Sequence, residues 1–463
     1  MPGGGARSDT PSEIFDALDA DFDSHLTTIR RYLRQPSVSA TGEGIQDAAA
    51  LTAELVEAAG GTARVIPTDG HPVVLGRVEG AGPALLRYGM YDVQPADEPG
   101  WASGPFEAVV REIDGVGPAV VARGSANSKG TLSATLCALK TMRRVADLPA
   151  TVIFMLDGEE ELGSPSLPKV LAEHREELAA DAAFDLDLHA DRNGVPDVYL
   201  GVKGVLSVML SCRGGEWGGP DGAALHSSSG PIVASPAWAL VRALDALVGP
   251  GERPRIDLPR PPIPAEDGPL LDGLAAAFSE PSQREVGPTR RFKVDGGREM
   301  VEALIYEPFI NLNGLAGGAP QGSKTIIPHE VRAALDLRLP YGMDIEATKG
   351  AIVAAVGAAA PEVDVDIYET CPPARTSPSS AVARAMIASH SDVGPAARVW
   401  PSAPWWAPYY LFQQELGIPY AHGGAGHSGG AHSANEYASI EGLRAHMKQF
   451  AAFLYRFASE HTA

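Results

Sequence analysis

The chain has 463 residues, enough for two domains with separate cores, and its 44% hydrophobic and 21% charged content describes an ordinary globular protein. A net charge of −21, from 58 acidic against 37 basic residues, argues against nucleic acid and anionic membranes as partners. Cys137, Cys212 and Cys371 lie far apart with no CxxC, the first residues lack a signal-peptide core and no segment is apolar enough to span a bilayer, so a cytoplasmic location is expected.

Ile14, Leu18, Phe22, Leu26, Ile29 and Leu33 recur every three or four positions and predict an amphipathic helix. A second helix over 45–59 stops at Gly60-Gly61. Apolar runs at 72–78 and 84–88, a helix at 130–145 and a strand at 151–156 continue the alternation. The class this predicts is α/β with a mostly parallel sheet. From Lys203 the texture changes. A strand (205–211), a helix (235–247), two strands (303–312 and 325–339), a helix (344–359) and a strand (363–368) follow, the βαββαβ order of an α+β ferredoxin-like sandwich. An amphipathic helix over 439–459 ends the chain. The simplest arrangement is a catalytic domain built from residues 1–204 and 373–463, with an inserted domain over 205–372.

Residues 157–164 read DGEEELGS and run off the strand at 151–156. Glu159, Glu160 and Glu161 therefore stand at the carboxyl end of a core strand, where open α/β sheets place their ligands. Adjacent carboxylates repel, so such a site calls for a metal, a proton or a basic side chain.

Five further segments flank this one. They are Gln35-Pro36-Ser37-Val38-Ser39; Tyr88-Gly89-Met90-Tyr91-Asp92-Val93-Gln94-Pro95; Arg123-Gly124-Ser125-Ala126-Asn127-Ser128-Lys129-Gly130; Leu225-His226-Ser227; and Ala431-His432-Ser433-Ala434-Asn435-Glu436. In this order the six resemble the M20 family of metallopeptidases, the dipeptidase, carnosinase and aminoacylase group, over essentially the whole chain. The resemblance implies a zinc-exopeptidase-like catalytic domain carrying an inserted lid and dimerisation domain. It also implies two zinc-like ions bridged by a carboxylate, and a glutamate that moves a proton from the attacking water to the leaving amine.

Carried over by position, Glu160 falls on that general acid/base, and Glu161, Asp191 and His432 fall on metal ligands. Asp92 falls on the carboxylate that orients the family's first histidine ligand. His226 falls on an oxyanion-stabilising histidine that acts in a partner subunit's site, which implies a homodimer. Arg338 matches the arginine that binds the substrate carboxylate, and Thr325 and 311–314 match adjoining substrate contacts.

Two ligands depart from the family pattern. The first histidine is replaced by Met90, and the bridging aspartate by Asn127, which is followed by Ser128. A thioether is a poor zinc ligand, and a neutral carboxamide cancels no charge between two dications. The expectation is zinc or another divalent metal at no more than one ion per chain, on Glu161 and His432 with Asn127 as a neutral third contact, or no metal. Trp405 and Trp406 replace the family's Gly-Gly-Ser-Ile-Pro turn. They offer either core packing or a stacking surface for a substrate with a flat apolar group. In the Gly- and His-rich stretch 422–432, His432 is read as a site residue, with His427 next. The expected function is hydrolysis of a small dipeptide, an N-acyl amino acid or a related amino-acid-derived amide. The losses at 90 and 127 leave two alternatives. One is a non-hydrolytic enzyme on the same scaffold (acyl transfer, cyclisation, elimination or isomerisation), and the other a non-catalytic pseudoenzyme dimer.

Overall fold

The computed structural model describes residues 11–278, 289, 291–319, 322 and 324–462. The chain forms two compact units, one of residues 1–200, 376–401 and 411–463, the other of residues 201–375 and 402–410.

The first unit is built on an eight-stranded sheet. Its order is Thr62–Ile66, Val73–Val78, Thr151–Asp157, Ala84–Met90, Ala182–Leu186, Tyr420–Gly423, Asp197–Tyr199 and Arg398–Trp400. The central strands run parallel, and every residue of Thr151–Asp157 is buried, as a sheet covered by helices on both faces requires. Helix Lys129–Val145 packs against Ile440–Thr462 and Phe22–Leu33. The single first helix expected from periodicity is two, Ser12–Ala20 and Phe22–Leu33. The chain turns at Asp21, whose carboxylate accepts hydrogen bonds from Thr141 Oγ1 at 2.7 Å and Arg144 Nη2 at 2.6 Å. In the parallel register Met90 lies opposite Asp157, and the neighbouring strand closes at Leu186, so three strands end side by side.

The second unit carries an antiparallel sheet in the order Phe309–Gly317, Glu330–Leu339, Gly204–Arg213, Asp364–Cys371, the ferredoxin-like order predicted from the sequence. Helices Pro236–Leu247 and Ile345–Ala359 pack together and share a core with it that includes Leu206, Val208, Leu335, Leu337 and Ile352. The strand expected from residue 303 starts at Phe309 instead. Residues Gly297–Tyr306 form a helix that buries Met300, Val301 and Ile305 on one side. Segment 402–410, expected with the catalytic domain, joins this unit. Ala403 donates its N–H to Gly201 O at 2.7 Å, and Lys203 donates to Trp405 O at 3.1 Å. Among the described residues no helix is long and apolar enough to cross a membrane.

Candidate active site

Leaving the strand at Asp157, the chain turns through Gly158 into a short 3-10 turn over Glu160–Leu162. A Cβ at position 158 would fall 2.4 Å from Tyr91 Oη, so glycine is required there by close approach. Asp92, buried just beyond the strand that ends at Met90, fixes the turn by accepting Glu160 N–H at 3.2 Å and Glu161 N–H at 3.1 Å. Asp92 thus acts on the glutamate backbone. Glu159 points away from its neighbours: it is buried, and Oε1 accepts the His71 N–H at 2.9 Å.

Glu161 is the hub of a polar cluster. Its Oε2 accepts from Gln94 Nε2 at 2.7 Å, and its Oε1 accepts from Asn127 Nδ2 at 3.0 Å. His432 Nε2 lies 2.8 Å from the same amide nitrogen and 3.2 Å from Glu161 Oε1. Glu161 is 5% exposed and His432 54%, so the cluster opens to solvent on the histidine side. Asn127 sits on a loop held from below by Glu436. That buried carboxylate accepts the N–H groups of Gly124, Ala126 and Asn127 at 3.1, 2.9 and 2.9 Å, and pairs with Arg123 at 2.9 Å. The peptide bond between Asn127 and Ser128 is cis.

Burial raises the proton affinity of three carboxyls here. Burial, reinforced by the charges of Glu161, Asp92 and Asp157, raises Glu160 well above the usual glutamate range. Burial, followed by repulsion from Asp157, pushes Asp92 up to about 8, and burial lifts Asp157 to about 6. The hydrogen bond with Glu161 raises the proton affinity of His432.

Asp191, expected as a metal ligand, does not join this cluster. Its carboxylate pairs with Arg398 at 2.9 Å and caps its own loop, accepting the N–H groups of Asn193 and Val195. Asp187 stands beside the Asn127 loop instead. It accepts from Thr131 Oγ1 at 2.6 Å and from Ser128 Oγ at 3.2 Å, and that same hydroxyl lies 3.2 Å from Asn127 Oδ1. Burial, then repulsion from Asp185, lifts Asp187 to about 6. Asp187 follows Ala182–Leu186 as Glu159–Glu161 follow their strand, so the strand-end rule would have found it. Gln94 and Glu436 were also missed as participants, although both lie in resembling segments.

In the second unit, His226 and Thr325 come together: His226 Nε2 is 3.1 Å from Thr325 Oγ1, and Nδ1 is 2.9 Å from Ser228 Oγ. Arg338 donates to Asp336 at 2.8 Å, and Asn311 donates to the other Asp336 oxygen at 3.1 Å. Trp405 and Trp406 are half-buried, with Trp405 edge-on to Tyr409 at 6.5 Å. His427 bonds Ala190 O at 2.8 Å and Tyr437 Oη at 3.0 Å.

The sequence profile of peptidase family M20/M25/M40 matches residues 87–456. The chain belongs to this family. It is 32% identical to an M20 family metallo-carboxypeptidase from Sulfolobus solfataricus, whose structure superposes with a TM-score of 0.85 over 94% of this chain and 99% of that one. The Beta-Ala-His dipeptidase of Rattus norvegicus is 28% identical over 271 residues, 56% of this chain and 51% of that protein. Cys-Gly metallodipeptidase dug1 of Schizosaccharomyces pombe is 28% identical over 288 residues, 59% of this chain and 58% of that protein. The chain thus spans about half the length of the curated relatives it matches.

The side chains at the positions M20 peptidases use do not fit a pair of ions. Met90 is buried and offers only a thioether, and the Asn127 amide nitrogen stands between Glu161 and His432 as a donor. Only with its amide flipped, carbonyl oxygen inward, would Asn127 offer a neutral contact to an ion held by Glu161 and His432.

Proposed function

We propose that the chain is a metal-dependent hydrolase of a small amide, of dipeptide or N-acyl amino acid size, with Glu160 as general acid/base. The observation that carries this reading is the setting of Glu160. Its backbone is clamped by Asp92 at the end of the central strands, and burial among carboxylates raises its proton affinity well above that of an ordinary glutamate, as an acid/base group requires. The names of relatives that act on Beta-Ala-His and Cys-Gly support the substrate class.

In this reading Glu160 takes the proton of the attacking water and delivers it to the leaving amine. Arg338, held by Asp336, binds the substrate carboxylate, and His226, steadied by Thr325 and Ser228, donates to the developing oxyanion. No more than one ion occupies the family's positions, on Glu161, His432 and Asn127, where it would polarise the amide carbonyl. The protein acts as a homodimer through the second unit. Exposed apolar side chains there, Ile232 at 88% and Trp238 at 68%, support this. Turnover of a panel of dipeptides and N-acyl amino acids with added Zn²⁺, Mn²⁺ or Co²⁺ tests the reading, and no turnover under any metal removes it.

The Asn127 and Met90 replacements favour one second reading, a reaction on the same scaffold that needs no paired ions. Chelator-insensitive conversion of an amino-acid-derived substrate without amide hydrolysis would select it.

A further inference from the structure

We propose that Asp187, His189 and His422 form a divalent-metal site that none of the six resembling segments contains. Their ligand atoms all lie within 4.8 Å of one another, and among the described residues no other group of three does so. The two imidazoles face each other through Nε2 at 2.5 Å. Strand Tyr420–Gly423 runs parallel to Ala182–Leu186 with His422 opposite Asp185, and Asp187 and His189 follow the end of that second strand. The trio therefore gathers at the same sheet edge as Glu161.

Three features go beyond a chance meeting of side chains. His422 Nδ1 lies 3.4 Å from Asp185 Oδ2, and Asp185 is paired with the buried Arg87. A carboxylate behind an imidazole fixes its tautomer and leaves the Nε2 lone pair pointing forward, as behind metal-ligating histidines. Asp187 takes two hydroxyl hydrogen bonds, and among the described residues no basic side chain pairs with it. Its carboxylate therefore has no counter-charge of its own from a lysine or arginine. Finally, two imidazoles and one carboxylate make a donor set suited to zinc or a similar first-row ion, with room for an exogenous ligand. The competing account is a His–His hydrogen bond packed against Tyr199, with ring centroids 5.4 Å apart. That account gives Asp187 no part.

Metal titration decides between them without reference to turnover, so it stands or falls separately from the hydrolase reading. Chelator-stripped full-length protein is titrated with Zn²⁺ by calorimetry and with Co²⁺ by visible absorption. Imidazole ¹⁵N shifts of the wild-type protein report which rings bind. The expected result is a tightly bound equivalent that shifts His189 and His422, distinct from any weaker ion on Glu161 and His432. Affinity should fall more than about 100-fold in His189→Gln and about 10–100-fold in Asp185→Asn, and stay unchanged in Glu161→Gln and His432→Gln. Tight binding that survives His189→Gln but disappears in Glu161→Gln overturns the proposal. So does wild-type protein in which neither ring responds to Zn²⁺.

Discussion

The side-chain amide of Asn127 donates to Glu161, with Nδ2 at 3.0 Å from Oε1. An aspartate at 127 would set two carboxylates against each other and forfeit that bond. In chelator, Asn127→Asp should therefore lose about 1–3 kcal/mol of stability, and Zn²⁺ should restore more melting temperature to the variant than to wild type. Combined with Met90→His, it should raise bound metal per chain, read by elemental analysis. A double variant with wild-type metal content would show that 90 and 127 are not the positions that matter.

Glu160→Gln should lower kcat by two to four orders of magnitude, roughly 3–5 kcal/mol of barrier, with the circular dichroism spectrum intact. Glu159 faces His71, so Glu159→Gln is the matched control and should retain most activity. Equal rates for wild type and Glu160→Gln would remove Glu160 from the general acid/base role.

His390 provides a pH test outside the polar cluster. It is buried, neither ring nitrogen has a protein partner, and burial lowers it to about 4. The unfolded histidine titrates near 6.5, so between pH 6.5 and 4 the unfolded chain binds a proton that the folded chain refuses. Stability should fall over that window by up to roughly 3 kcal/mol from this group and level off below it. His390→Phe should flatten that part of the curve in urea melts from pH 7 to 4. An unchanged slope would contradict the assignment.

Trp238 and Val241 are exposed on helix Pro236–Leu247, at 68% and 49%. Trp238→Glu should convert a dimer to monomers in light scattering. Activity should fall with it, since His226 then lacks a partner subunit to serve. A monomeric wild type with full activity would remove the dimer from the reading.

The sequence was most legible where function follows local position. Glu160 and Glu161 were found because a buried strand ends just before them, and the βαββαβ order predicted the second sheet. Asp187 is not legible because the strand before it, Ala182–Leu186, carries Asp185 in its interior and does not read as an apolar run, and the resemblance points to Asp191 instead. The His189–His422 pairing joins residues 233 positions apart, which no spacing rule reveals. The last turn of helix Gly297–Tyr306, from residue 303, reads as strand because its apolar residues lie next to those of the strand that follows.

Glu436 accepts three backbone N–H groups of the 124–127 loop, so the loop owes its shape to a residue 309 positions from Asn127 and not to the Asn127 side chain. Exchange of aspartate for asparagine there replaces one oxygen with an amino group on an unaltered frame. Such a position can change its charge and its donors while the backbone around it is held by Glu436. The same property makes it a convenient first lever for anyone restoring or redirecting the chemistry of this chain.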